Sequence, residues 1–198
     1  MNDFGTFFLI LISITIFYVY LENKATDVTY IRKKGIEFLV RNLDDKEQAA
    51  KLLSDICTRL SNLVEHLNDN IDAKDHNKEQ KEGIKRMKKN FNPNNVVESS
   101  PGNKYTSYSI NKGEKIVFCL RSKDKDQTLV DLNTMMFVAI HELAHLMSKD
   151  IGHTKEFWDN MKFLLEEASK IGVYSPVDYA NNPVKYCGMT IDNTPMDL

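Results

Sequence analysis

Residues 135–147 read MMFVAIHELAHLM, and their apolar composition favours a buried helix. On a helix, His141 and His145 lie one turn apart on the same face, so both imidazoles can reach one metal ion. Glu142 projects beside them, where its carboxylate can accept a proton from a metal-bound water. The pattern H-E-x-x-H on a helix therefore predicts a zinc hydrolase site, and a helix with two ordinary histidines is the alternative.

A third metal ligand is expected just beyond this helix. Gly152 permits a sharp return of the chain, which would bring His153 back over the metal. Thr154 is suited to cap the helix that follows. Three imidazoles leave one position of a zinc ion for water, which is the arrangement of catalytic rather than structural sites. We therefore predict His153 as the third ligand. An ordinary loop histidine is the alternative, and Glu156 and Glu166 are alternative ligands.

The beginning of the chain predicts a membrane anchor. Residues 4–21 contain no charge and would span about 27 Å as a helix, near the thickness of a bilayer's hydrocarbon core. No Lys or Arg precedes this run and no small-x-small cleavage site follows it, so a retained transmembrane helix over residues 1–24 is favoured over a signal peptide. Basic residues follow the span, which places the C-terminal domain of a single-pass protein on the cytosolic side, with a virion membrane as a further location. These residues are Lys24, Arg32, Lys33 and Lys34.

Composition and cysteine content agree with that location. The chain of 198 residues is 42% hydrophobic and 27% charged, which suits one compact domain plus extras. A net charge of -2 gives no general attraction to nucleic acid. Cys57, Cys119 and Cys187 are scattered and odd in number, so we expect unpaired thiols in a reducing compartment. A Cys187 thiolate that blocks the zinc is an alternative to simple packing of that residue.

Residues 25–95 are expected to form a hairpin, a long amphipathic helix and a polar basic segment. Two short β-rich runs flank Gly35, which suits the hairpin turn. Asp44 can cap the helix with Glu47 as the other half of a capping box, and apolar residues then recur at spacings of three and four. The basic residues within 78–89 are interpreted as a solvated helix face, with nucleic acid or an anionic lipid as the alternative partner.

Residues 96–171 are expected to form the catalytic core, in which a short antiparallel sheet packs on the H-E-x-x-H helix and its flanking helices. Residues 106–110 and 115–121 predict a hairpin whose second strand is apolar on both faces and lies inside the sheet. Residues 172–198 contain three prolines and little periodicity, which predicts an irregular tail. Packing is the expected role of Tyr186 in that tail, and a phenol supplied to an oxyanion is the alternative.

The run HELAHLMSKDIGHTKEFW, residues 141–158, resembles the zinc-site core of the WLM and SprT-like metalloproteases. Their pattern is H-E-x-x-H, a variable connection, and then Gly-His or a lone His followed by a helix that contains Phe or Trp. The resemblance covers residues 96–171, and over the wider chain the sequence resembles predicted zinc peptidases of large DNA viruses of algae and protists. The metzincin pattern does not fit, because Ser148 stands where its Gly is needed and Ile151 where its third His would be. The matching site positions are His141, Glu142, His145, His153, Phe157 and Trp158.

The resemblance implies an α+β fold, with a small zincin-like domain after the transmembrane helix, and a peptidase that acts on a protein or peptide substrate. For some relatives it implies removal of proteins crosslinked to DNA. Zn²⁺ would be held by His141, His145 and His153. It would polarise the scissile carbonyl and lower the pKa of a water, whose proton Glu142 would take and pass to the leaving amine.

The alternative function is a non-enzymatic, membrane-anchored structural protein with virion or capsid neighbours, which would keep a metalloprotease fold as a scaffold. Glu142 speaks against this alternative, because a structural zinc site has no need of a base.

Overall fold

The computed structural model describes residues 3–24, 27–74, 76–100 and 102–197, and within its first helix it describes the side chains of residues 5–19. A short 3-10 turn covers Pro93–Asn95. The helices are α1 (Asp3–Lys24), α2 (Lys46–Asp69), α3 (Lys78–Asn90), α4 (Leu132–Met147) and α5 (Lys155–Lys170). The strands are β1 (Val28–Lys33), β2 (Ile36–Arg41), β3 (Val96–Glu98), β4 (Tyr108–Ile110), β5 (Lys115–Phe118), β6 (Val184–Tyr186) and β7 (Met189–Ile191). The α+β composition agrees with the prediction.

Helix α4 lies at the centre of the fold because it is apolar on nearly every side. It packs against α2, α3 and α5. Between residues 134 and 148, every residue is buried except His141 and His145. The sequence offers Asp131 or Asn133 as the cap of this helix, and Asp131 takes that role by accepting a hydrogen bond from the backbone N–H of Thr134 at 2.9 Å. The only part of this segment that meets solvent is therefore the pair of imidazoles.

Helix α2 supplies a second wall of the core. Its predicted apolar stripe is confirmed, since Leu53, Ile56, Leu60, Leu63 and Leu67 are all at most 1% exposed. The predicted capping box at the start of the helix is wrong. The N-cap is Asp45 instead. Its carboxylate makes no capping bond because it accepts a hydrogen bond from Arg121.

The sheet beside α4 is mixed rather than antiparallel. Its strand order is β3-β5-β4, which confirms that β5 is the inner strand. Strand β4 is antiparallel to β5, as the predicted hairpin requires, but β3 is parallel to β5. The prediction of a purely antiparallel sheet is therefore wrong, because the long connection from β3 to β4 lets β3 pair with β5 in the same direction. The separate β1–β2 hairpin, with Gly35 at its turn, is confirmed.

The polar basic segment forms helix α3. Asn77 and Gln80 make a reciprocal capping box at its start, with both hydrogen bonds at 2.9 Å. Ile84 and Met87 are fully buried, so one face of this charged helix belongs to the core. The prediction of a helix with a solvated basic face is consistent with this placement. The expectation that the chain does not bind nucleic acid stays a prediction.

The predicted membrane anchor is wrong. Among the residues that the structure describes, no helix combines the length and the apolar character needed to cross a membrane. The anchor over residues 1–24, the membrane contact through residues 4–21 and the single-pass location are corrected accordingly. Residues 1 and 2 lie outside the described chain.

The prediction of unpaired cysteines is also wrong. Cys119, just after β5, forms a disulfide with Cys187, which lies in the turn between β6 and β7. Cys57 is free and buried. The two bonded residues are 68 positions apart, so no local pattern pairs them. The tail is not irregular throughout, because β6 and β7 form a hairpin that the disulfide attaches to the central sheet.

We expect reduction of this disulfide to lower the free energy of unfolding by about 4 kcal/mol, because it frees a long loop in the unfolded chain. Guanidinium denaturation with and without a dithiol reductant measures the effect, with thiol titration to show that the bond is reduced. The Cys119→Ala/Cys187→Ala double variant is the control, and its midpoint should not respond to reductant. A reduced wild type with the midpoint of the oxidised protein would contradict the expectation.

Candidate active site

Three imidazoles converge at one end of α4. One ligand atom from each of His141, His145 and His153 lies within 4.8 Å of the others. The Nε2 atoms of His141 and His153 are 3.0 Å apart. In the part of the chain that the structure describes, no other group of histidine, cysteine or acidic side chains is arranged in this way. The structure thus brings together the three residues that the sequence predicts as metal ligands.

The chain returns to the site through the short loop after α4. Gly152 has a φ of 89°, a left-handed conformation that glycine adopts without strain. Thr154 then caps α5, accepting a hydrogen bond from the N–H of Phe157 at 3.3 Å. Both features were predicted from the sequence, and together they set the position of His153 between them.

Lys112, in the turn between β4 and β5, holds this loop against the helix end. Its ammonium group donates to three backbone carbonyls, those of His145 at 3.1 Å, Ser148 at 2.8 Å and Asp150 at 2.7 Å. A cation at a helix C-terminus is favoured because the last carbonyls lack partners within the helix. The three bonds connect the hairpin turn, the last turn of α4 and the start of the return loop, and the sequence carried no signal for them.

A second cation completes the same junction. Arg86 of α3 donates to the carbonyl of Met147 through Nε at 3.0 Å and Nη2 at 2.8 Å. It also pairs with Glu156 at 3.4 Å, and that carboxylate accepts the N–H of Lys149 at 3.1 Å. The carboxylate of Glu156 is therefore occupied by its contacts with Arg86 and with the backbone of the return loop. Neither Glu156 nor Glu166 belongs to the group of metal-binding atoms.

Aromatic rings form the floor of the site. The Phe157 ring is buried and lies 4.3 Å from the His145 ring and 4.8 Å from the His141 ring, measured between centroids. Helical spacing predicts Trp158 on the same buried face of α5, but Trp158 is 44% exposed and lies 5.6 Å from the His153 ring. That prediction is wrong because the histidine cluster, rather than the core, borders this edge of α5.

The electrostatics of the cluster keep two of its imidazoles neutral. Burial lowers the pKa of His141 to about 3, with smaller contributions from His145 and His153. Burial likewise lowers the pKa of His145 to about 4, helped by His153 and Lys112. At neutral pH both rings therefore offer a nitrogen lone pair, which is the form that binds metal ions.

The carboxylate of Glu142 is buried next to the two α4 histidines. Burial raises the pKa of Glu142 to about 7, and a hydrogen bond from the Ser109 side chain offsets part of that shift. Its Oε2 atom has no hydrogen-bond partner among the described residues. A carboxyl group with a pKa near neutrality can both accept and release a proton, as a general base requires.

These groups open onto a cleft of about 390 Å³. One wall consists of β4 and the turn that follows it, and the other consists of α4 and the return loop. Because β4 is an edge strand, its free side borders the cleft. An extended chain could lie there beside Glu142.

The donor set fits a zinc ion. Imidazole nitrogens are ligands that zinc prefers, with Zn–N bonds of 2.0–2.1 Å. The Nε2 atoms of His141 and His153, 3.0 Å apart, and the ligand atom of His145, within 4.8 Å of both, are near enough to share one ion. Glu142 lines the cleft together with the three histidines and does not belong to the group of ligand atoms, and its Oε2 has no hydrogen-bond partner among the described residues. The fold and the site therefore define a helix-borne, three-histidine centre that could hold a metal ion, with a carboxylate beside it.

The chain belongs to the WLM domain family, which matches residues 59–182. The WLM domain is related to zinc metalloprotease-like folds. The chain is similar to "Uncharacterized protein R325" of Acanthamoeba polyphaga mimivirus, with 33% identity over 186 residues that make up 92% of each chain. It is also 37% identical to "Uncharacterized protein 136R" of Invertebrate iridescent virus 6 over 93 residues, 46% of this chain and 51% of the relative. No solved structure matches the chain. The predicted family and its viral relatives are confirmed.

Proposed function

We propose that this chain is a zinc-dependent metallopeptidase. The observation that carries the proposal is the buried Oε2 of Glu142, which has no partner among the described residues and belongs to a side chain that shares its cleft with three clustered imidazoles. A buried carboxylate oxygen without a hydrogen-bond partner destabilises a fold, so its presence calls for a role. Membership of the WLM family supports the same function.

The residues of the site have separate roles. His141, His145 and His153 would hold the ion. Zinc, when bound, supplies a Lewis acid that polarises the scissile carbonyl and lowers the pKa of a water molecule. Glu142 accepts the proton of the attacking water and delivers it to the leaving amine.

A peptide suits the cleft better than a compact small molecule. Strand β4 is an edge of its sheet and borders the site, so an extended peptide can add to it through backbone hydrogen bonds. That alignment would place a peptide bond of the added strand along the wall opposite α4. The cleft is lined mainly by polar and histidine side chains, which leaves selection among substrate side chains to the residues around it.

The first test is zinc content. We expect about one zinc per chain in the wild type after extensive dialysis, measured by elemental analysis, and almost none in His145→Ala, because two imidazoles and water hold the ion far more weakly than three imidazoles. His66→Ala is the matched control, since His66 lies on α2 outside the cluster and should not affect the metal. Equal zinc in wild type and His145→Ala would remove the metal site and the proposed function with it.

A further inference from the structure

The C-terminal hairpin reaches the wall of the active-site cleft. Tyr186 is 2% exposed, and its phenol oxygen lies 2.6 Å from Oγ of Ser107. Ser107 lines the same cleft as Glu142. The disulfide between Cys119 and Cys187 attaches the hairpin at the residue next to Tyr186, so the phenol is held in place from the adjoining position.

The direction of the hydrogen bonds around Ser107 follows from counting donors. The backbone N–H of Cys119 donates to Oγ of Ser107 at 3.1 Å. Burial raises the pKa of Tyr186, so its phenol keeps its proton. Among the described residues the hydroxyl of Ser107 is the side-chain partner for that proton, and leaving a buried O–H without an acceptor would cost about 1–3 kcal/mol. Tyr186 therefore donates and Ser107 accepts.

The hydroxyl proton of Ser107 then remains without an acceptor among the described residues. A hydroxyl has two acceptor positions and one proton, and both acceptor positions are filled by Cys119 and Tyr186. The remaining proton is not taken by Oε2 of Glu142, which has no partner. It is left for a group that enters the cleft.

Other polar side chains on this wall are engaged with neighbouring residues. The ammonium group of Lys112 gives its three N–H bonds to three backbone carbonyls. The side chain of Asn111 donates to Glu114. The hydroxyl of Tyr108 is held toward the preceding loop, where it accepts a hydrogen bond from Asn103 at 3.1 Å. Tyr108 is thus a neighbouring hydroxyl of a different orientation, which makes it the natural comparison for Ser107.

We propose that Ser107 donates a hydrogen bond to the carbonyl oxygen of the scissile peptide as negative charge develops on it, and that Tyr186 positions Ser107 for this task. The inference rests on the proposed peptidase function. A preorganised donor aimed at a developing oxyanion stabilises the transition state more than the bound substrate, so its removal acts on kcat rather than on KM. Tyr186 acts through Ser107 and does not contact the substrate.

Steady-state kinetics of the zinc-loaded full chain on a fluorogenic peptide test the proposal. Ser107→Ala should lower kcat by about 10²-fold with KM changed less than about threefold. Ser107→Thr, which restores the hydroxyl, should recover most of the activity. Tyr186→Phe should lower kcat about tenfold, and Tyr108→Phe should lower it less than Ser107→Ala does. The control is Tyr30→Phe, whose exposed ring lies on β1 outside the cleft, and it should match the wild type. Zinc content and unfolding midpoint, measured for each variant, identify any that fails to fold or to load.

Binding gives a readout that does not depend on turnover. Ser107→Ala should weaken a phosphinic peptide, whose tetrahedral centre carries a charged oxygen, by about 10-fold or more. The same substitution in a Glu142→Gln background should leave the affinity of the parent peptide nearly unchanged. Equal kcat in Ser107→Ala and wild type, or a larger loss in Tyr108→Phe, would overturn the role of Ser107 and leave the peptidase function standing. A wild type that holds zinc but hydrolyses no peptide would remove both.

Discussion

Replacing Glu142 with Gln is expected to lower kcat for peptide hydrolysis by about 10³-fold while zinc content stays at the wild-type level. Glutamine keeps the size and the hydrogen-bonding oxygen of the side chain but cannot accept a proton at neutral pH. The metal should be unaffected, because Glu142 lies outside the group of three histidine ligand atoms. The loss should therefore appear in turnover alone.

The measurement pairs a broad peptide library with elemental analysis on the same preparations. Glu166→Gln is the matched control: Glu166 is a second glutamate near the site in sequence, but it lies on α5 and outside the metal group, so its variant should retain wild-type turnover. If wild type and Glu142→Gln both bind zinc and neither cleaves any peptide, the chain is a scaffold that retains a metallopeptidase fold. Comparable cleavage by both would show that another group serves as the base.

Among single substitutions, Arg121→Met is expected to have the largest effect on stability and should lower the free energy of unfolding by about 3–5 kcal/mol. Arg121 is 4% exposed and bonds Glu98 at 2.7 Å and Asp45 at 2.5 Å. The Glu98 side chain is only 1% exposed, and it also accepts the backbone N–H of Arg41 at 2.7 Å. Without Arg121, the buried carboxylate of Glu98 loses its opposite charge. The substitution also removes the side chain that connects the segment after β5 with β3 and the start of α2.

Urea denaturation of the metal-free protein at pH 7 measures this loss. Arg32→Met serves as the control, because the Arg32–Glu37 pair is mostly exposed, with 70% and 57% of the two side chains accessible, and should contribute less than about 1 kcal/mol. Adding Glu98→Gln to Arg121→Met should recover part of the stability, because it removes the buried negative charge of Glu98 that is left without a partner. An Arg121→Met variant as stable as the control would show that water reaches this cluster freely.

The local features of this chain were readable from residue order alone. Helix α4 and its Asp131 cap depend on neighbouring residues, as do the two hairpins at Gly35 and after β4 and the left-handed return at Gly152. Spacings of three and four set which side chains share a helix face, so the pairing of His141 with His145 needed no knowledge of the rest of the fold. The turn and cap chemistry after α4 was also sufficient to predict the side of the helix on which His153 would lie.

The sequence by itself thus determined α4, its two histidines and the general position of the third, together with the family to which they belong. Only the tertiary structure decided the Cys119–Cys187 bond, the parallel pairing of β3, and the contacts of Lys112 and Tyr186 with the site. These features join segments that are far apart in the chain. Their partners are chosen by how the helices and the sheet pack, and a single sequence carries no periodic signal for such contacts.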